Sequence, residues 1–272
     1  MDQHTRAEAA RALLDAYTSG KPIAPLTTTH DDITLSDAYA IQLLQIDELV
    51  RGGRTVQGHK VGLTSAAMQR LLGVDQPDYG HLLDDFFFLE HAPIPLDRFL
   101  QPRIEPEIAF VLGRPLRGPG VTVHQAIAAV DFVLPALEIV DSRIEDWRIT
   151  LFDTIADNAS SGALVLGSTP TRLHEVDLRL SGAVMTRNGA VVGTGAGGAV
   201  LGSPITSLVW LANTVGARGV TLEAGQVVLP GAVCAMVPVA AGDTFTATFA
   251  GLGPVTARFS AAGSDTARED TA

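Results

Sequence analysis

The segment Arg103-Ile-Glu-Pro-Glu-Ile-Ala-Phe-Val-Leu112 sets two carboxylates two positions apart inside an otherwise apolar run. Side chains on a strand alternate between its faces, so Glu105 and Glu107 project the same way, about 6 to 7 Å apart. Two like charges on a half-buried face raise each other's pKa and lose solvation, an arrangement that is hard to keep without a cation between them. A third acid, Glu138, lies in a similar run, Phe132-Val-Leu-Pro-Ala-Leu-Glu-Ile-Val140. It would complete an all-oxygen set suited to Mg²⁺ or Mn²⁺. The competing reading, edge-strand acids facing water, would require two separate apolar-flanked sites to break the burial pattern.

Lys60 stands in Gly58-His-Lys-Val-Gly-Leu-Thr64, with Val61 and Leu63 directed to the opposite face. Its neighbouring glycines predict open space beside the ammonium, which suits an acid/base group or a partner for an anionic ligand. Asp75, Asp78, Asp84 and Asp85 fall in a polar, loop-like stretch and read mostly as turn and capping acids. The run Asp153-Thr-Ile-Ala-Asp-Asn-Ala-Ser-Ser161 is too dense in hydrogen-bonding side chains for a plain strand. It reads as a loop that could line a site with Asn158, Ser160 and Ser161. Other chemistries find less support. Cys234 has no nearby His or basic residue in sequence and reads as a packed thiol. Gly193-Thr-Gly-Ala-Gly-Gly198 matches G-x-G-x-x-G, but Gly202-Ser203-Pro204 intervenes before the next helix, so hairpin and loop flexibility accounts for it better than dinucleotide binding. The G-x-S-x-G of a serine nucleophile elbow is absent.

The elements that must position these residues change character along the chain. Ala10, Leu13, Leu14 and Tyr17 follow helical spacing up to Gly20, and Thr34 with Asp37 forms a capping box before Tyr39, Leu43, Ile46 and Val50. Beyond residue 54 the pattern becomes short strands and turns. Strands are expected over 56–63, 104–112 and 133–140 and around Val227, Thr246 and Val255, with helices over 65–72, 122–130 and 205–215. Asn188-Gly189 turns a hairpin within 178–192. The expected organisation is a helical segment over 1–54, a catalytic domain over 55–260 and a disordered tail over 261–272. With 272 residues the chain can bury a large core.

A formal net charge of -11 argues against nucleic-acid and anionic-membrane partners. There is no basic, apolar leader after Met1 and no run of 18 apolar residues, and a single cysteine suits a reducing cytoplasm.

Five segments in order, Gly58-His-Lys-Val-Gly-Leu-Thr-Ser65, Gly73-Val-Asp-Gln-Pro-Asp-Tyr-Gly80, Pro102-Arg-Ile-Glu-Pro-Glu-Ile-Ala-Phe110, Pro135-Ala-Leu-Glu-Ile-Val-Asp-Ser-Arg143 and Ala156-Asp-Asn-Ala-Ser160, resemble the 2-keto-4-pentenoate hydratases of the fumarylacetoacetate hydrolase superfamily. The likeness runs from about Ile23 to Phe259. Arg143-Ile-Glu-Asp-Trp-Arg148 and Leu229-Pro-Gly-Ala-Val-Cys-Ala-Met236 look more like hydratases than like the related 4-oxalocrotonate decarboxylases. The resemblance implies a mixed, β-rich α+β fold whose rolled sheet encloses the site, and a divalent metal held by Glu105, Glu107 and Glu138. It implies acid/base and substrate-positioning roles for Lys60 and Asp78, with Ser160 at the ligand. The implied substrate is a small 2-hydroxy-dienoate, and the implied assembly is a homo-oligomer, with pentamers as one building unit and association with a pathway enzyme. Decarboxylation, or service as an inert partner subunit, are the rival readings. Arg103, Arg143 and Arg148 are the candidates to hold a second substrate carboxylate, with Glu145 and Asp146 as local partners that would occupy the last two.

Overall fold

The computed structural model describes residues 1–261, so the expected tail lies outside the described residues beyond Ala261. Three helices come first: α1 (Gln3–Ser19), α2 (Leu26–Thr29) and α3 (Leu35–Arg51). The middle of the chain runs β1 (Val56–Gly62), α4 (Ala66–Leu72), β2 (Asp78–Leu83), β3 (Phe87–Phe88), β4 (Pro93–Ile94), β5 (Arg103–Leu112), α5 (Val123–Ala129) and β6 (Val130–Val140). There follow α6 (Leu151–Ala156), β7 (Ser161–Leu166), β8 (Gly182–Arg187), β9 (Ala190–Ala196), α7 (Pro204–Gly216), β10 (Val227–Leu229), β11 (Val237–Pro238), β12 (Thr244–Phe249) and β13 (Gly253–Phe259).

The strands form two sheets. An eight-stranded mixed sheet is ordered β2-β1-β10-β5-β6-β7-β3, with β11 pairing β5 off that path. A five-stranded sheet is ordered β4-β13-β12-β8-β9. Helices and curled sheets together make this an α+β fold.

Local signals explain the ends of the helices. Gly20 caps α1 in the left-handed region at φ 65° and donates its N–H to the Ala16 carbonyl. The Thr34–Asp37 capping box opens α3, and Arg6 of α1 binds the same Asp37, tying the two helices together. From α3, Gln42 Nε2 donates to the carbonyls of Tyr79 and Ile155, and Gln45 Nε2 to that of Ala156. Helix α3 therefore clamps β2, which carries Asp78, and α6, which leads into the turn that carries Ser160.

The span Gly197–Gly216 has the length and hydropathy of a membrane-crossing helix, although the sequence holds no unbroken apolar run of that length. A turn with Leu201 at φ 46° and Gly202 at φ 77° interrupts it, leaving the 13 residues of α7. At 1.5 Å per residue such a helix spans about 20 Å, short of the roughly 30 Å hydrocarbon layer. Its face of Ile205, Leu208, Leu211, Ala212 and Val215 is buried in the core.

Two corrections concern glycines. Gly193–Gly198 reads in sequence as flexible hairpin and loop; the hairpin is there, as the end of β9 and the turn after it, but its glycines serve places where backbones meet closely rather than flexibility. A Cβ on Gly195 would lie 1.9 Å from the Val233 carbonyl oxygen, and one on Gly197 would lie 1.8 Å from that of Leu178. Likewise the glycines beside Lys60 leave no open space. A Cβ on Gly58 would meet the Val227 oxygen at 1.9 Å, since β1 and β10 run parallel and close there.

Candidate active site

The register of β5 against β6 brings the three glutamates together. Glu105 lies directly opposite Glu138, and Glu107 opposite Ala136. One carboxylate oxygen from each of Glu105, Glu107 and Glu138 falls within a common 4.8 Å. Glu107 and Glu138 are wholly buried and Glu105 is partly exposed. Alternation along the strands places Leu82, Ala109, Leu134, Ala136 and Leu164 on the same face, where they form the smaller of two apolar clusters. The acids thus sit on a largely water-excluded surface.

Burial, and then the charge of Glu138, pushes Glu105 up to about 8. Burial followed by Glu138 and Glu105 raises Glu107 well above the usual range, and burial raises Glu138 as well. Glu107 Oε2 accepts from the Gly231 amide at 2.7 Å, whereas Glu107 Oε1 and Glu138 Oε2 are buried with no hydrogen-bond partner. Orphaned, crowded carboxylate oxygens are what a hard divalent cation would satisfy, so the donor set fits such an ion. Gly231 adopts φ 130°, and a side chain there would collide with Thr64, its added Cβ lying 2.1 Å from Oγ1. Glycine at this place lets the 230–234 loop bring an amide to Glu107.

Lys60 projects from β1 over the triad. Its Nζ lies 3.3 Å from Glu138 Oε1 and donates to the Ala159 carbonyl at 3.0 Å. Burial alone would lower its pKa, but Glu138 foremost, then Asp78, Glu105 and Glu107, hold the ammonium charged and raise it. Contrary to the loop and capping reading of its segment, Asp78 opens β2 and is buried. It is the cross-strand partner of Gly62, where an added Cβ would lie 2.2 Å from Asp78 Oδ1 and 3.5 Å from Lys60 Nζ. Gly62 therefore makes room for a carboxylate beside the ammonium, not for solvent. Burial raises the Asp78 pKa, opposed first by Lys60. Of its neighbouring acids, Asp84 instead accepts from the Thr55 amide, and Asp85 pairs with Arg54 and Arg98.

The polar run before β7 is helix α6 and a tight turn. Of its three expected hydrogen-bonding groups, Ser160 Oγ contacts the Thr154 hydroxyl at 3.4 Å and retains capacity for a ligand. Asn158 and Ser161 are spent internally: Asn158 bonds the backbone of His81, and Ser161 Oγ donates to the Asn158 carbonyl. Cys234 is half-buried, and burial followed by the Glu105 charge raises its thiol to about 11, as expected for a packed and unreactive group.

Arg143 does not pair with Glu145 or Asp146. Its wholly buried guanidinium binds Asp157 and donates to the carbonyls of Asp141 and Ser161. Arg148 pairs with Glu145 at the surface, and Arg103 lies over the Trp147 ring at 4.6 Å. The sequence carries no sign of the Ala159 carbonyl, the Gly231 amide or the Arg143–Asp157 pair, because each depends on a turn conformation rather than on a residue type.

A curled mixed sheet with three clustered carboxylates whose donor set fits a divalent cation, and an adjoining Lys–Asp pair, has the make-up of a metal-dependent enzyme. Residues 60–260 match the model of the fumarylacetoacetate hydrolase C-terminal family, and the chain belongs to that family. It is 49% identical over 259 residues to a 2-keto-4-pentenoate hydratase of Paraburkholderia xenovorans, covering 95% of this chain and 96% of that protein. A 2-oxo-hept-4-ene-1,7-dioate hydratase of Escherichia coli is 43% identical, with 95% and 99% covered. Among solved structures, a 4-oxalocrotonate decarboxylase from Pseudomonas putida G7, complexed with magnesium and adipate, superimposes with a TM-score of 0.92 at 38% identity, covering 95% of this chain and 98% of that one.

Proposed function

We propose that this chain is a hydro-lyase that converts 2-hydroxypenta-2,4-dienoate into 4-hydroxy-2-oxopentanoate in the meta-cleavage breakdown of aromatic or steroid compounds. The observation that carries the reading is the Lys60 ammonium 3.3 Å from Glu138, with Asp78 beside it, next to three clustered carboxylates. Glu105, Glu107 and Glu138 would hold Mg²⁺ or Mn²⁺, which when bound supplies a Lewis acid for the substrate's C1 carboxylate and C2 oxygen.

The reaction removes the C2 hydroxyl proton, places a proton on C5, and then adds hydroxide at C4 and a proton at C3, so the sum is one water. Lys60 and Asp78 are the groups placed to move these protons. The surrounding carboxylates, Glu138 foremost, hold Lys60 as the charged ammonium, and burial raises the Asp78 carboxyl above its ordinary value, so the two groups form an adjoining donor and acceptor pair. The Ser160 hydroxyl would hold the ligand by a hydrogen bond, and the apolar cluster beside the acids excludes bulk water from the reacting carbons. By the same reading the protein acts in the cytoplasm as a homo-oligomer, and pentamer-based assembly and association with a pathway enzyme are part of the proposal.

Decarboxylation of 4-oxalocrotonate is the rival, favoured by the 38% identity to a decarboxylase. Against it, a second substrate carboxylate needs a cation; Arg143 and Arg148 already have carboxylate partners, which leaves Arg103, stacked on the Trp147 ring, as the remaining candidate of the three. The test follows the ultraviolet chromophore of freshly made 2-hydroxypenta-2,4-dienoate with purified protein and Mg²⁺, beside 4-oxalocrotonate. A higher kcat/KM for loss of the first, with a hydrated product, is expected. Faster CO₂ release from the second would overturn the hydratase reading and leave the family and the metal site standing.

A further inference from the structure

Asn158, Ala159 and Ser160 adopt left-handed backbone in succession, at φ 52°, 52° and 53°. Residues with a Cβ disfavour this region, and three in a row persist only where the surroundings over-determine them. The surroundings are visible on both sides of the turn. Asn158 Oδ1 accepts from the His81 amide at 2.8 Å while its Nδ2 donates to the His81 carbonyl at 2.9 Å, so one side chain takes both backbone groups of a β2 residue. The neighbouring position on β2 is Gly80, where a Cβ would lie 2.3 Å from the Asn158 oxygen. Arg143 grips Asp157 from the other side.

The product of this clamping is a carbonyl. Ala159, in the middle of the turn, directs its oxygen to Lys60 Nζ at 3.0 Å. An ammonium has three donors. The hydrogen bond to Ala159, with the ion pair to Glu138 at 3.3 Å, orients the ammonium before any ligand arrives.

We infer that Asn158 is a positioning residue: its two-point bond to β2 locks the left-handed turn, and the turn aims Lys60. Asn158 touches no reacting atom and acts only through Ala159 and Lys60. The kinetic part rests on the dienoate hydratase reading; the structural part does not.

Two variants separate the bond from the backbone. Asn158→Gly removes the amide but accepts the left-handed conformation at no steric cost, and circular dichroism checks that it folds; Asn158→Ala removes the amide and keeps the strain. If Asn158 matters only for backbone conformation, Asn158→Gly retains wild-type kcat and Asn158→Ala alone is impaired. If it positions Lys60, kcat falls in both, by about 10- to 100-fold for a misplacement near 1 Å, with KM and the calorimetric Mg²⁺ affinity within about threefold of wild type. A second readout needs no substrate. The chain contains two lysines, Lys21 exposed and Lys60 buried, so ¹⁵N-lysine labelling gives one slowly exchanging ammonium signal, from Lys60. Loss or broadening of that signal in Asn158→Gly is expected. Wild-type kcat with an unchanged Lys60 signal in Asn158→Gly overturns the inference. A wild-type enzyme inert toward the dienoate overturns the hydratase reading, and the Lys60 signal still decides the role of Asn158.

Discussion

At the scale of single residues, the site is a balance between one buried cation and several buried anions. Replacing Glu107 with Gln removes a carboxylate raised by burial and by both neighbouring glutamates. Mg²⁺-dependent turnover should be lost while the metal-free protein keeps its Tm or gains a little, because like-charge repulsion is relieved. Calorimetric titration with Mg²⁺ is the check, and undiminished affinity would remove Glu107 from the site. Lys60→Met has a different signature. Removing an acid/base group should lower kcat by about 10² to 10⁴. Metal binding should survive, because Glu138 loses a competitor for its oxygen rather than a ligand. If kcat at saturating substrate stays at the wild-type value, Lys60 contributes only uniform binding. The same-face Glu105–Glu107 pair is legible in the sequence because strand alternation is a strict geometric rule. Lys60 is legible as a candidate, but not for the reason its neighbours suggest: the glycines beside it admit Asp78 and the β10 backbone, and do not open a void.

At the scale of elements, periodicity and capping residues locate most helices and strands, since Thr34–Asp37, Asn188-Gly189 and Pro204 each act through chemistry local to the chain. Elements whose identity depends on distant partners are the ones that sequence patterns misplace. The segment from Asp78 to Leu83 looks polar and loop-like because its Asp, Tyr and His are buried only after β1, α3 and the 157–161 turn close over it. The glycine repeat in β9 has the same origin, and it allows a test. If those glycines serve close packing, Gly195→Ala forces its Cβ onto the Val233 carbonyl and should destabilise the fold by about 1–3 kcal/mol. Val233 also donates its amide to the Pro106 carbonyl, between the two glutamates of β5, so the same change should weaken Mg²⁺ binding. Urea unfolding with and without Mg²⁺ measures both effects; a variant as stable as wild type would restore the flexible-loop account.

At the scale of the whole molecule, the eight-stranded sheet keeps its charged chemistry on one face and, on the strand positions between, a pair of neutral histidines. His59 and His81 are cross-strand partners on β1 and β2 with ring centroids 5.0 Å apart, and both are buried. Burial pushes His81 down to about 4 and His59 well below its usual value, with each Nδ1 left without a partner. An unfolded histidine titrates near 6.5, so below that pH the unfolded chain takes up protons that the folded chain refuses. The contribution of His81 is therefore complete above pH 6.5 and is lost progressively as the pH falls to about 4. The full loss is on the order of 3 kcal/mol, the free energy that separates a histidine titrating near 6.5 from one titrating near 4. Buried carboxylates titrate in the opposite sense, so the histidine contribution has to be isolated by difference. Wild type and His81→Gln should be unfolded in urea at pH 7.5, 6.0 and 5.0 in the same saturating Mg²⁺. The wild type should lose stability relative to the variant by about one proton's worth of slope between the two lower values and little above 6.5. A stability difference that stays constant across all three would mean that His81 is protonated in the folded protein as readily as in the unfolded chain.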